Sequence, residues 1–314
     1  MTCAQHLVIP FAHATAEGCT QALRDLRLPH LSACIARWNV GPRVDGDDFG
    51  LSTPHERVLA SVWGWAGGAG ALPFAAQAAQ ADGIDTGDLA WGLMTPTHWH
   101  VGRDQITLLD PAGLELDADT SRGLLEAVRD LFESEGMVLA YGAPLRWYVA
   151  HETLAELPCA SLDRVIGRNV DAWLPAGPRA RLIRRLQNEV QMLLYQSPLN
   201  DAREAQGRLP VNSFWLSGCG SVQPVPAQPP VRVLDTLRAP ALEQDWAAWT
   251  RAWEALDQGP LAELGNAVDL TLTLCGERSS QSWLAPAASP WPRWVSAWRR
   301  PWRSPPLSSL LGTL

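Results

Sequence analysis

A chain of 314 residues is long enough for one large domain or two smaller ones, each with a proper buried core. Its net charge of −8 at pH 7 disfavours bulk attraction to a phosphate backbone, so no nucleic-acid partner is expected. Every basic side chain among the Lys and Arg total is arginine, a residue that suits anion binding. The six cysteines (Cys3, Cys19, Cys34, Cys159, Cys219, Cys275) show no CxxC spacing and read as reduced, mostly buried thiols. The N-terminal stretch lacks a charged head followed by an apolar run, and no stretch of about 18 apolar residues occurs. A cytosolic protein without a membrane span is the expectation.

Residues 7–12 (LVIPFA) form a short apolar run, a first buried strand, and residues 28–38 read as a turn into an amphipathic helix. Residues 51–60 open another helix, with Ser52 or Thr53 as N-cap, Pro54 at the first position and Glu56 near the third. The glycine-rich stretch 63–71 matches no phosphate-loop pattern and reads as a loop, with a short alanine-rich helix after it at 74–81. Alternation over 88–109 predicts strands broken at Thr95-Pro96-Thr97 and at Gly102-Arg103-Asp104. His98 and His100 share one face of such a strand, a spacing that metals sometimes exploit. No carboxylate or cysteine stands at obvious ligand spacing, so hydrogen-bonded or surface histidines are the simpler reading. A capped helix over 119–132 and a strand over 145–150 follow.

In 181–194 the residues Leu182, Ile183, Leu186, Val190, Leu193 and Leu194 recur at helical spacing. Pro178 suits the start of this helix and Pro198 stops it. A polar helical turn (201–206) ends at Gly207, residues 211–216 read as a strand, and 217–220 (SGCG) as a turn that brings backbone close to something. Residues 221–230 are a proline-rich connector. Trp246, Trp249 and Trp253 lie on one helix face, a core or docking stripe. Residues 268–275 alternate as a half-buried strand, and 291–303 (WPRWVSAWRRPWR) suit an amphipathic interface with the chain's own core, a partner or a membrane surface.

Asn188-Glu189, Pro198-Leu199-Asn200, Arg203, Gly207 and Pro210-Val211-Asn212, then a strand and Gly218/Gly220, resemble the archaeal-type cofactor-independent phosphoglycerate mutases. More closely, residues 98–111 and 187–203 resemble a bacterial, phosphoglycerate-mutase-like set of RpfE-type regulatory proteins. The resemblance implies an alkaline-phosphatase-like three-layer α/β core with an inserted α+β domain. The implied division is 1–95 and 209–282 for the core, 96–208 for the insert and 283–314 for a Trp/Arg-rich tail.

It also implies metal ligands after the first strand, where Phe11 and Ala12 stand, and after a late strand, where Glu277 and Arg278 stand. Phe11 and Ala12 cannot bind a cation, and Arg278 would repel one. Ser52 with His55 loosely resembles the segment that holds the family's nucleophilic serine; a helix cap is the plainer role for Ser52. Arg103, Arg146 and Arg203, with Asn200, Asn212, Gly218 and Gly220, are the candidates for an anion pocket, because guanidinium forks match phosphate geometry.

The expectation is therefore a degenerate relative that binds a phosphorylated metabolite or a protein partner, with no cofactor and no chemistry. An active mutase or phosphatase would need manganese or zinc on relocated ligands drawn from His55, His98, His100, His151, Asp104 and Glu277. A third reading is an adaptor docking through residues 291–302.

Overall fold

The computed structural model of the chain describes residues 5–227, 230–287 and 307–314. In chain order the elements begin with β1 (Gln5–Ile9), α1 (Glu17–Asp25), α2 (Pro29–Arg37), β2 (Asn39–Val44), α3 (Pro54–Trp63) and α4 (Phe74–Ala81). Then come β3 (Ala90–Thr97), β4 (Trp99–Val101), β5 (Ile106–Leu108), α5 (Ala118–Glu133), β6 (Val138–Ala143), β7 (Arg146–Ala150) and α6 (Leu162–Val165). The rest are α7 (Arg181–Tyr195), α8 (Pro198–Ala205), β8 (Ser213–Ser221), β9 (Val231–Val233), α9 (Arg238–Leu242), α10 (Trp246–Gln258), β10 (Leu270–Cys275), β11 (Ser280–Leu284) and α11 (Leu307–Leu311).

The chain is a mixed α/β protein of two units: Met1–Asp48 with Thr53–Leu59 and Pro226–Leu314, and Phe49–Ser52 with Ala60–Val225. The inserted unit is longer at both ends than the expected segment 96–208. The reason is sheet pairing: β3 is hydrogen-bonded to both β7 and β8, so one sheet joins residues from both sides of 95 and of 208. Among the described residues no helix is long and apolar enough to cross a membrane. The Trp/Arg-rich stretch 291–303 lies outside the described residues.

In the first unit the five-stranded sheet runs β2-β11-β10-β1-β9. β1 is parallel to both β10 and β9, while β11 and β2 add antiparallel strands at one side. Leu7, Ile9, Leu272, Leu274 and Trp283 share one buried cluster with Leu23 of α1, Leu31 and Ile35 of α2, and Trp249, Trp253 and Leu256 of α10. The tryptophan stripe is thus core. Fully burying one such large apolar side chain contributes roughly 1.5–3 kcal/mol. Asp257 of α10, itself buried, accepts from the amides of His30 (3.2 Å) and Leu31 (2.8 Å) and so neutralises the exposed donors at the start of α2. Across the sheet, His6 Nε2 meets Thr273 Oγ1 at 2.7 Å, and Thr273 Oγ1 meets Ser282 Oγ at 2.7 Å.

The second unit is built on an antiparallel sheet, β6-β7-β3-β8. Alternation sends Met94, Trp147, Val149, Phe214 and Leu216 to a core shared with α5 and α7. Trp91, Tyr148 and Ala150 meet the alanine face of α4 on the other side. Pro96 does not break β3 as expected. Its pairing with β7 ends at Met94, so the missing amide faces no partner strand. Residues 217–220 are likewise not a turn, because β8 runs on to Ser221. Gly218 (φ +64°) and Gly220 (φ +154°) lie where an added Cβ would meet Ala75 N at 2.9 Å and Pro73 Cβ at 3.1 Å. The close approach is real, and what approaches is the start of α4. Gln187 of α7 donates to Phe214 O (2.8 Å) and Gln191 to Ser213 Oγ (3.1 Å), covering the open side of edge strand β8.

The five described cysteines are free and buried. Two outcomes test these assignments. Asn200 Nδ2 donates to Leu194 O and Val211 O (both 2.8 Å), and its Oδ1 accepts from Val211 N (2.9 Å). Asn200→Ala strands three buried main-chain groups, and urea unfolding is expected to show a loss of about 3 kcal/mol; a loss within the range of a surface substitution would contradict this placement. Burial also holds the His6 pKa below its usual value of 6.5. The unfolded chain protonates first, so stability is complete above pH 6.5 and is lost as pH falls through the folded-state value. The melting temperature should fall less steeply over that window in His6→Gln than in the unaltered chain, and equal slopes would refute the assignment.

Candidate functional site

Parallel strands place their carboxyl ends, and the loops that follow, at one edge, where open α/β sheets bind ligands. In the first unit that edge is made by the residues after β1 and after β10. Ala12 N donates to Cys275 O at 2.8 Å and extends the pairing of the two strands by one step. Phe11, just before it, has φ +56°, a left-handed conformation that strains a bulky residue. Two contacts hold it. Trp249 Nε1 donates to Phe11 O at 2.9 Å, and the Phe11 ring lies 5.6 Å from the His55 ring.

His13 follows, 7% exposed, with no hydrogen-bond partner for Nδ1. Burial pushes its pKa down; Glu277 works against that and Arg278 adds to it. Ala14 N donates to Cys19 Sγ at 3.3 Å, and burial raises that thiol to about 11, so it is no nucleophile near neutral pH. Thr15 donates through both its amide and its hydroxyl to Glu277 Oε2, each at 2.7 Å. The turn after β10 closes with Gly276 N donating to Ser279 O at 2.9 Å. Arg278 forks onto Asp48, with Nη2 to Oδ2 at 2.9 Å and Nε to Oδ1. Arg57 donates to Asp45 O (3.0 Å) and Arg278 O (2.9 Å).

The edge therefore carries a buried neutral imidazole, a carboxylate committed to Thr15 and a guanidinium committed to a carboxylate. Among the described residues, no group of three or more His, Cys, Asp or Glu is arranged to hold a metal ion. This donor set does not fit a two-cation centre. The sequence resemblance points to Phe11, Ala12, Glu277 and Arg278 here, and not to His13 or Thr15. The one signal for His13 was a lone histidine just past an apolar strand.

The other candidates have these places. Thr53, not Ser52, caps α3: Thr53 N donates to Glu56 Oε2 (2.8 Å) and Glu56 N to Thr53 Oγ1 (3.4 Å), a reciprocal capping box. Ser52 is 4% exposed, and its Oγ accepts from Gly70 N at 2.8 Å. His55 lies 3.2 Å from Thr53 Oγ1. His98 Nδ1 meets Pro210 O at 2.8 Å, and His100 is exposed on β4. His151 turns Nδ1 to Thr153 Oγ1 (2.9 Å), and Asp104 is exposed in the turn between β4 and β5.

Arg146 grips Asp82 with Nε (3.0 Å) and Nη2 (2.8 Å), Tyr148 OH donates to the same carboxylate (2.7 Å), and Arg146 first among these holds the Asp82 pKa down. Arg203 is 3% exposed and spends Nε on Leu209 O (2.9 Å) and Nη2 on Leu114 O. Asn212 exchanges hydrogen bonds with the main chain of Trp99. Arg103 is exposed. Asn200, Arg203 and Asn212 are thus drawn together as the ties of segment 209–212, while Arg146 serves a separate latch to α4.

No protein-family model matches the chain, and no curated protein matches it closely enough to count as a relative. Similar solved structures include a cofactor-independent phosphoglycerate mutase from Thermoplasma acidophilum DSM 1728, 15% identical over 90% of each chain, with a TM-score of 0.37. They also include the PH0037 protein from Pyrococcus horikoshii, 11% identical over 90% of this chain and 87% of that one, with a TM-score of 0.45. Likeness at this level assigns neither a family nor an activity.

Proposed function

We propose that this chain is a phosphoglycerate-mutase-like protein of the cytosol that binds a phosphorylated metabolite in a regulatory role and performs no phosphoryl transfer. One observation carries the reading. Where the resemblance calls for metal ligands after the late strand, Glu277 accepts both Thr15 hydrogen bonds and Arg278 is paired with Asp48. Phosphoryl transfer on such a scaffold uses two cations to activate the nucleophile and stabilise the leaving oxygen. A guanidinium at that position opposes cation binding by direct repulsion.

The ligand's anionic groups fall to arginine. Arg103 is exposed, and the Arg146 side chain is 48% exposed beside Asp82, so both guanidiniums reach solvent. Buried Arg203 contributes by fixing segment 209–212 rather than by direct contact.

A mutase assay with 3-phosphoglycerate and added manganese, run beside a thermal-shift titration with the same compound, tests the reading. No turnover with a rise in melting temperature is the expected result; a ligand at a hundredfold excess over its Kd stabilises by about 2.7 kcal/mol. Manganese-dependent turnover would overturn the catalytic half, and an unmoved melting temperature would overturn the binding half.

A further inference from the structure

The turn after β10 already holds an oxygen. The amides of Arg278 (3.1 Å) and Ser279 (2.8 Å) both donate to Leu314 O. Arg43 adds Nη2 to Thr313 O at 2.6 Å and Nη1 to Thr313 Oγ1 at 3.3 Å, while its Nε stays on Asp45. Gly276 makes the approach possible, since a Cβ there would stand 2.5 Å from Leu314 C and 2.6 Å from Leu314 Cβ. Leu311 and Leu314 sink into the first unit's core, which seats the segment. Two convergent amides beside a guanidinium are a general arrangement for binding an oxyanion.

We propose that residues 307–314 are an internal strap over an oxyanion pocket made by the Arg278 and Ser279 amides and Arg43. The Leu314 main-chain oxygen stands where one oxygen of a phosphate or carboxylate group binds once the strap lifts. The strap and a ligand then compete for the same donors. The pocket lies on the turn that also carries Glu277. This inference does not require phosphoglycerate to be the ligand.

Inorganic phosphate is the probe, with acetate as the carboxylate arm, measured by titration calorimetry on the full chain. Gly276→Ala forces Leu314 away from the turn, and Leu311→Asp independently unseats the segment from the core. Each variant, once its circular dichroism matches the unaltered chain, is expected to bind phosphate or acetate at least about tenfold more tightly, the scale of one charge-assisted hydrogen bond. Adding Arg43→Ala should abolish the gain. Folded variants with no gain for either anion, or a gain that survives Arg43→Ala, overturn the proposal. Should neither variant fold, the unaltered chain decides: phosphate must move the amide NMR signals of Arg278 and Ser279, and unmoved signals refute the strap.

Discussion

The parallel hydrogen bonds between β1 and β10 join Gln5 to Leu270 and Ile9 to Leu274, nearly opposite ends of the sequence. Everything at the candidate edge depends on that pairing. Without it His13 and Thr15 would be remote from Glu277, and the Ala12 to Cys275 bond that fixes their approach would not exist. Closing so long a loop costs chain entropy before any contact rewards it. The reward is the shared apolar face of the two strands, Leu7 and Ile9 with Leu272 and Leu274, against helices that include α1, α2 and α10.

Helix α10 is what makes the left-handed Phe11 tolerable. Its Trp249 fills the core and also supplies the indole proton that satisfies the Phe11 carbonyl. Its Asp257 caps α2 from the side. One amphipathic helix thus stabilises the core, a distant helix start and the strained exit from β1. In the second unit α7 does comparable work, with its apolar face in the core and Gln187 and Gln191 on the edge of β8.

Local patterns made much of this legible in advance. The helices at Pro29–Arg37 and Arg181–Tyr195 and the strand at Leu270–Cys275 follow from apolar periodicity, and the helix at Phe74–Ala81 from its alanine content. The limits were equally physical. Pro96 looked like a strand breaker because local reasoning cannot see that β7 stops short of it. Gly218 and Gly220 announced a close approach but not its partner, since α4 is distant in sequence. Asn200, Arg203 and Asn212 looked like an anion pocket because their side chains suit anions; their bonds to main-chain groups 6 to 113 residues away appear only in three dimensions. His13 escaped notice because its burial, and its nearness to Glu277, depend on the β1–β10 pairing.

The polar groups of this sheet edge answer one another instead of waiting for cations. The most direct measurement is anomalous diffraction at the manganese edge from crystals grown with that metal. The prediction is Glu277 still accepting from Thr15, Arg278 still on Asp48, and no manganese peak between residues 11–15 and 275–278. Two manganese peaks there, with Glu277 turned towards them, would contradict it.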